Sequence, residues 1–277
     1  MELWQVLADE PKAVVYAGGT DLLIKLQQRL VDPPSLICLE RIEKLNGVQE
    51  HEREISIGAC TSHATLLQNQ IVRDHFPVLT KALKVLGSPP IRNMGTIGGN
   101  ICTASPAADT LPPLYVLKAE VEIRSRGAFR RMALKDFILG PGQTCLQRGE
   151  VLSKIYLEKG LDHNIHHFEK VGQRKALSIA LVSLAAMLKI SNSGIIEKAR
   201  LSWGSVGPTI VTSTHVEETL IGKSLSLETL RKVKPLVHEA VNPIDDVRAS
   251  AFYRRSVAGN LLLRLLESKD FHQPVET

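Results

Sequence analysis

Two glycine pairs carry the most suggestive chemistry in this sequence. The first lies in Ala17-Gly18-Gly19-Thr20-Asp21, after the strand-like Ala13-Val14-Val15-Tyr16 and before the amphipathic Leu22-Leu23-Ile24-Lys25-Leu26. Glycines at a strand-to-helix turn let the backbone approach a ligand closely, and amides at a helix start point toward an anion. That chemistry is pyrophosphate binding, although a lone glycine pair is more often a plain tight turn. The second pair lies in Thr96-Ile97-Gly98-Gly99-Asn100-Ile101, followed by Ala104-Ser105-Pro106-Ala107-Ala108-Asp109. Here the glycines are expected to expose backbone amides, and Thr96 and Asn100 add a hydroxyl and an amide. Asp109 offers an acceptor for a ligand hydroxyl or amine. Each residue alone has a structural explanation; the whole string is specific.

Other chemistries find less support. No GxGxxG is present, so neither loop is a Rossmann fingerprint. Gly222-Lys223-Ser224 imitates the end of a Walker A motif, but Glu217 stands where its leading glycine belongs. His163, His166 and His167 cluster without a nearby cysteine, which favours a solvated loop over a metal site. The four cysteines, Cys38, Cys60, Cys102 and Cys145, are widely spaced with no CxxC. They fit neither a zinc or iron–sulfur motif nor a disulfide framework. No Ser/His/Asp spacing points to a hydrolase.

Local patterning places these residues on a series of short strands and helices. The strand at 13–16, the helix from Leu22 and a strand from Ser35 to Leu39 make a small βαβ unit, with Asp32-Pro33-Pro34 ending the helix. A strand is expected over Glu54–Ala59, helices over Thr65–Asp74 and Pro77–Leu86, and a long loop from Gly87 to Pro113. Helical Leu114–Leu117 leads to strands Glu120–Ser125 and Val151–Leu157. After a boundary near His166 the pattern changes, with antiparallel strands at Ala180–Ile190 and Ala199–Val206. Helices close the chain at Ser226–Val241 and Ala249–Leu266. No internal repeat is visible.

Composition frames these readings. The chain has 277 residues, 44% of them apolar and 23% charged, which suits a folded protein of two or three units. Its net charge of +5 is scattered, with no basic–aromatic alternation, so a dinucleotide is a better anionic partner than nucleic acid. The N-terminus lacks the pattern of a signal peptide, and Ala176–Leu188 is too short to span a bilayer. A reducing cytoplasm is expected.

Taken together, Ala17-Gly18-Gly19-Thr20-Asp21 and Thr96-Ile97-Gly98-Gly99-Asn100…Ser105-Pro106…Asp109 resemble the FAD-binding (medium) subunit of molybdenum hydroxylases, the xanthine dehydrogenase and carbon monoxide dehydrogenase type. Phe168-Glu169-Lys170…Ala180-Leu181-Val182 and Asn242-Pro243-Ile244-Asp245-Asp246…Tyr253-Arg254-Arg255 extend the resemblance over nearly the whole chain. The resemblance implies an α+β fold: a PCMH-type FAD-binding domain over residues 1–165, with subdomains of about 1–53 and 54–165. A C-terminal α+β domain over 166–277, an antiparallel sheet with helices, would close over the flavin. It implies FAD as the cofactor, held by Tyr16, Ala17, Gly18, Gly19, Thr20, Asp21, Leu22 and Leu23 and by Thr96, Ile97, Gly98, Gly99 and Asn100. Asp109, Leu86, Leu152, Lys170 and Ile179 fall where the family has further contacts. Leu86 and Leu152 are equally explained as core, and Lys170 as a surface charge.

The resemblance also implies partners and a role. A large molybdopterin subunit would hydroxylate the substrate, and a small 2Fe-2S subunit would pass electrons to this FAD, then to NAD or another acceptor. No catalytic base is expected on this chain. Gly172-Gln173-Arg174-Lys175-Ala176-Leu177-Ser178-Ile179 is basic where vertebrate xanthine dehydrogenases are acidic, which weighs against NAD. No cysteine-rich insertion for an extra cluster is present, so FAD is the only cofactor expected. Asn242-Pro243-Ile244-Asp245-Asp246 looks most like the bacterial xanthine dehydrogenase version, which points to xanthine. Alternatives are the FAD subunit of a carbon monoxide dehydrogenase or aromatic/heterocycle hydroxylase, a self-contained vanillyl-alcohol-oxidase-type oxidase, and a non-redox nucleotide-binding adaptor.

Overall fold

The computed structural model describes residues 2–174 and 177–268. The fold is α+β and divides into two compact units, each discontinuous in sequence. The first comprises residues up to His75, Leu86–Ser105 and Leu117–Gly160; the second comprises Phe76–Val85, Pro106–Val116 and the chain from Leu161. A single cut near His166 would therefore leave two segments of the second unit behind. Those segments are the helices Pro77–Val85 and Leu111–Val116, which pack on the later sheet. Local sequence patterning cannot show which sheet a short helix covers.

The first unit is built on a five-stranded antiparallel sheet in the order Val48–Glu50, Glu54–Gly58, Val151–Glu158, Glu120–Ser125, Ala128–Ala133. Ile55, Ile57, Val121, Ile123, Ile155 and Leu157 alternate along the three central strands and are buried, and the intervening Ser56 and Glu122 are buried as well, so both faces are covered at the centre of the sheet. The expected βαβ unit is present: Val14–Tyr16 pairs in parallel with Leu36–Cys38 across the helix Leu22–Gln27. The predicted helix over Thr65–Asp74 is two helices, His63–Gln68 and Gln70–His75, broken at Asn69, whose Oδ1 accepts from Val72 N at 3.1 Å.

The expected loop from Gly87 to Pro113 is largely helical. It holds Pro89–Met94 and Ile97–Thr103, and it reaches into Leu111–Val116. Helices of six or seven residues show too few turns for a 3.6-residue period, and Gly and Pro disguised them as a loop. Their caps were readable: Ser88 precedes two prolines and accepts from Ile91 N, and Thr96 accepts from Gly99 N.

The second unit centres on the antiparallel sheet Ile165–Val171, Val182–Ile190, Ile196–Gly204. Every residue from Val182 to Leu188 is buried, because helices cover both faces. Leu184, Ala186, Leu188, Leu201 and Trp203 face a core completed by Leu230, Val233 and Val237 of Leu227–Ala240, and by Leu261 and Leu262 of Ala251–Leu263. On the other face, Ser202 Oγ donates to Pro112 O at 2.8 Å.

Candidate cofactor site

The first glycine turn is shaped by two different requirements. A Cβ on Gly18 would lie 1.7 Å from Met94 O, so only glycine allows the two backbones to approach this closely. Gly19 has room for a Cβ but adopts φ +69°, the left-handed region that favours glycine. Beyond it, Leu22–Gln27 begins with Asp21 at the N-cap, without a side-chain cap bond. The amides of Gly18, Gly19, Thr20 and Asp21 donate to no protein acceptor among the described residues. Four neighbouring donors left open at a glycine turn suit an anionic oxygen ligand. Tyr16 is half-buried, and the neighbouring Cys38 thiol pushes its phenol pKa up.

The second glycine pair behaves differently from its sequence reading. Gly98 and Gly99 lie in the first turn of Ile97–Thr103, and the amides expected to be exposed are bonded inside the protein. Ile97 N donates to Thr61 O at 3.1 Å, Gly98 N to Ala59 O at 2.8 Å, Gly99 N to Thr96 Oγ1 at 3.1 Å, and Asn100 N to Thr96 O at 3.0 Å. The cause is the Thr96 cap together with the Ala59–Thr61 backbone, which satisfies donors a free loop would present. Gly98 is required by packing, since its Cβ would lie 2.5 Å from Ala59 Cβ. Gly99 is exposed, with only Thr96 Oγ1 close to a built Cβ, so this helix start offers a flat, bare surface.

Tertiary structure brings the two motifs together. Besides the Gly18–Met94 contact, the space around Gly95 is closed by His63 and Thr20, and Thr103 Oγ1 donates to Asp21 Oδ2 at 3.4 Å. Leu86 joins through Arg92, whose Nη1 donates to Leu86 O at 2.7 Å. Leu152 lies on Val151–Glu158, the strand against which Ile97–Thr103 packs. Leu86 and Leu152 are both buried, whereas Leu23 is 55% exposed and the helix Leu22–Gln27 contains no buried residue.

Sequence reasoning missed His63. It is buried at the start of His63–Gln68, with its N bonded to Gly95 O at 2.9 Å. Burial, and secondly the charge of Arg92, hold its pKa down to about 4, so the imidazole is neutral. Its Nδ1 has no partner among the described residues. A single histidine next to a Ser cap carries no pattern that marks it in sequence.

Asp109, Lys170 and Ile179 belong to the second unit. Lys170 Nζ donates to Asp109 Oδ2 at 2.6 Å and to Val85 O at 2.9 Å, and both charged side chains are buried. Lys170 is therefore not a free surface charge. Burial pushes the Asp109 pKa up, and Lys170 opposes that shift. Asp109 Oδ1 is buried without a partner among the described residues, so one acceptor stays open. Ile179 is 53% exposed; Lys175 and Ala176 of the same basic segment lie outside the described residues.

Other sequence candidates resolve into structure. Asp245 and Asp246 of the Asn-Pro-Ile-Asp-Asp segment accept from Ala251 N, Arg248 N, Ala249 N and Arg254 Nη2, so they fix the turn that leads into the helix Ala251–Leu263, whose N-cap is Ser250. Cys60 and Cys102 are pushed up to about 12 by burial and stay protonated. Among the described residues no three His, Cys, Asp or Glu side chains gather to hold a metal ion, and no helix is long and apolar enough to cross a membrane.

Comparison with known proteins gives this geometry a context. Residues 1–157 match the FAD binding domain in molybdopterin dehydrogenase, and residues 167–268 the CO dehydrogenase flavoprotein C-terminal domain. The chain is 32% identical to the nicotinate dehydrogenase FAD-subunit of Eubacterium barkeri, over 91% of this chain and 86% of that protein. It is 31% identical to the xanthine dehydrogenase FAD-binding subunit of Escherichia coli O157:H7, over 90% and 86%. Among solved structures, quinoline 2-oxidoreductase from Pseudomonas putida 86 superposes with a TM-score of 0.92 at 30% identity, covering 98% of this chain and 94% of that one.

Proposed function

Because this chain belongs to the FAD-binding medium subunits of the molybdenum hydroxylases, we propose that it is the flavin relay between an iron–sulfur subunit and an external acceptor. Its cofactor is FAD. Relatives such as the carbon monoxide dehydrogenase medium chain are parts of larger assemblies, and on that basis a large molybdenum subunit and a small iron–sulfur subunit are assigned to this chain as partners. A self-contained flavin oxidase is not favoured, since both matched models describe dehydrogenase flavoproteins and together span most of the chain. The four free cysteines fit a reducing cytoplasm.

The observation that carries the site assignment is the run of open amides from Gly18 to Asp21. Bound FAD supplies an isoalloxazine ring that takes up and releases electrons. The chain's own work is binding and orientation. Gly18 through Asp21 hold the diphosphate, with Tyr16, Ala17, Leu22 and Leu23 flanking it. The bare surface at Gly99 and Asn100, seated by Thr96, Ile97 and Gly98, lets the cofactor lie close to the backbone. Leu86 and Leu152 back that surface as packed apolar groups. Asp109 Oδ1 accepts from a ligand hydroxyl or amine while Lys170 holds the carboxylate in place, and Ile179 offers an apolar edge.

Amide resonances of ¹⁵N-labelled chain stripped of flavin test this. On adding FAD, Gly18, Gly19, Thr20 and Asp21 should shift most, because their N–H groups gain an acceptor. If they stay unmoved while other residues respond, the diphosphate sits elsewhere. With the holoenzyme and its reducing substrate, appearance of NADH assigns NAD as the outlet; reduction of an artificial dye alone assigns another acceptor.

A further inference from the structure

Arg92 is a cation without a counter-ion. It stands in the helix Pro89–Met94, half-buried, and forms no ion pair among the described residues. Its Nη1 donates to Leu86 O at 2.7 Å, and its other N–H groups meet no acceptor among the described residues. A guanidinium carries five donors and keeps its charge at any working pH. Drawing such a charge part-way out of water without a partner is costly, and an anion beside it offsets that cost. The bond to Leu86 O holds the group in place, so little rotamer entropy is lost when an anion arrives.

The end of this helix lies against the first glycine turn. A Cβ on Gly18 would sit 1.7 Å from Met94 O and 3.1 Å from Gly95 Cα. A Cβ on Gly95 would meet Ile91 O at 2.9 Å, His63 Cδ2 at 3.2 Å and Thr20 Oγ1 at 3.4 Å. Helix, histidine and glycine turn therefore converge on one point. The buried His63 donates its backbone N to Gly95 O at 2.9 Å, while its Nδ1 has no partner among the described residues. Arg92 acts on this ring: burial first, and then the charge of Arg92, keep the imidazole neutral.

The open amides from Gly18 to Asp21 can direct a diphosphate but do not neutralise its charge. Lys25, one helical turn beyond Asp21, is committed to that carboxylate, with Nζ 2.6 Å from Asp21 Oδ2. We propose that Arg92 is the counter-charge of the flavin dinucleotide's diphosphate, so that the turn supplies direction and the helix Pro89–Met94 supplies charge. The proposal rests on the reading of Gly18–Asp21 as the diphosphate turn.

The test titrates the full chain, stripped of flavin, with FAD, as wild type, Arg92→Gln and Arg92→Lys, and follows the quenching of flavin fluorescence. The dissociation constant should rise at least tenfold in Arg92→Gln and by much less in Arg92→Lys, which keeps the charge. Added sodium chloride should weaken FAD binding to the wild type and to Arg92→Lys, and have much less effect on Arg92→Gln, a difference that a purely structural arginine would not produce. Wild-type affinity and salt dependence in Arg92→Gln overturn the proposal, and would assign Arg92 to another anion, such as a carboxylate. Should Arg92→Gln not fold, the imidazole of His63 in the wild type decides, followed by NMR. FAD should raise its pKa, because a diphosphate that balances Arg92 also reaches the ring on which Arg92 acts; an unmoved His63 overturns the assignment. Failure of the underlying reading looks different: the amides of Gly18 through Asp21 would then stay unmoved by FAD even in the wild type.

Discussion

The backbone at Gly18 lies so close to Met94 that a Cβ there would sit 1.7 Å from the Met94 carbonyl oxygen. One short contact thus joins the turn after the first strand to the turn that leads into the second glycine pair, some eighty residues later. Gly18→Ala must push these backbones apart, at a cost on the order of 3 kcal/mol. The expected result is a lower unfolding midpoint and loss of flavin absorbance from the purified protein. A variant with wild-type flavin content and stability would show that the contact is slack.

Thr96 has a smaller and separable role. Its Oγ1 accepts from Gly99 N at 3.1 Å, and Thr96→Val removes that cap at a cost of about 1 kcal/mol. Denaturant unfolding should register the loss, and Thr96→Ser should recover most of it. No change in Thr96→Val would mean that the amide finds another acceptor.

Asp109 and Lys170 form a buried pair at 2.6 Å. Removing one partner strands the other charge, which costs about 3–5 kcal/mol, whereas removing both costs less. Lys170→Met should therefore be more damaging alone than when combined with Asp109→Asn. A double-mutant cycle from unfolding midpoints measures the coupling; strictly additive losses would contradict the pairing.

His63 should give the fold a dependence on acid. Its pKa is held down to about 4 in the fold, against about 6.5 in an unfolded chain. The unfolded state then binds more protons than the fold between these values, so stability is full above pH 6.5 and declines as pH falls toward 4. The slope approaches roughly 1.4 kcal/mol per pH unit. His63→Asn should flatten that part of the stability–pH profile, and an unchanged profile would assign the acid sensitivity to other groups.

The thiols should differ in reactivity. Cys60 and Cys102 are pushed up to about 12 by burial, while Cys38 is exposed. The thiolate is the reacting species, so alkylation of the native protein followed by mass mapping should mark Cys38 well before Cys60 and Cys102. Equal labelling of all three would contradict the raised thiols of Cys60 and Cys102.

Much of this was legible in the residue order because it is local. The βαβ unit at 13–39 showed its strand, glycine turn and proline stop, and Gly19 supplies the left-handed residue the turn needs. The apolar patterns at Ala180–Ile190 and Ala249–Leu266 announced a strand and a closing helix, found at Val182–Ile190 and Ala251–Leu263. The family resemblance likewise rested on short strings whose spacing is independent of folding. Two short helices, Pro89–Met94 and Ile97–Thr103, were missed for the converse reason: each is too brief to repeat a period, and the third, Leu111–Val116, was read only over its second half.

Residue order assigns special backbone or hydrogen-bonding capacity; its use depends on neighbours that only folding supplies. Both glycine pairs look like amide donors when read along the chain. In the fold, Ala59, Thr61 and Thr96 consume the amides from Ile97 to Asn100, while those from Gly18 to Asp21 stay open. Likewise Lys170 reads as a surface charge until Asp109, sixty-one positions away, is found beside it. A donor's availability depends on which acceptor lies within about 3 Å, and that neighbour usually comes from another part of the chain.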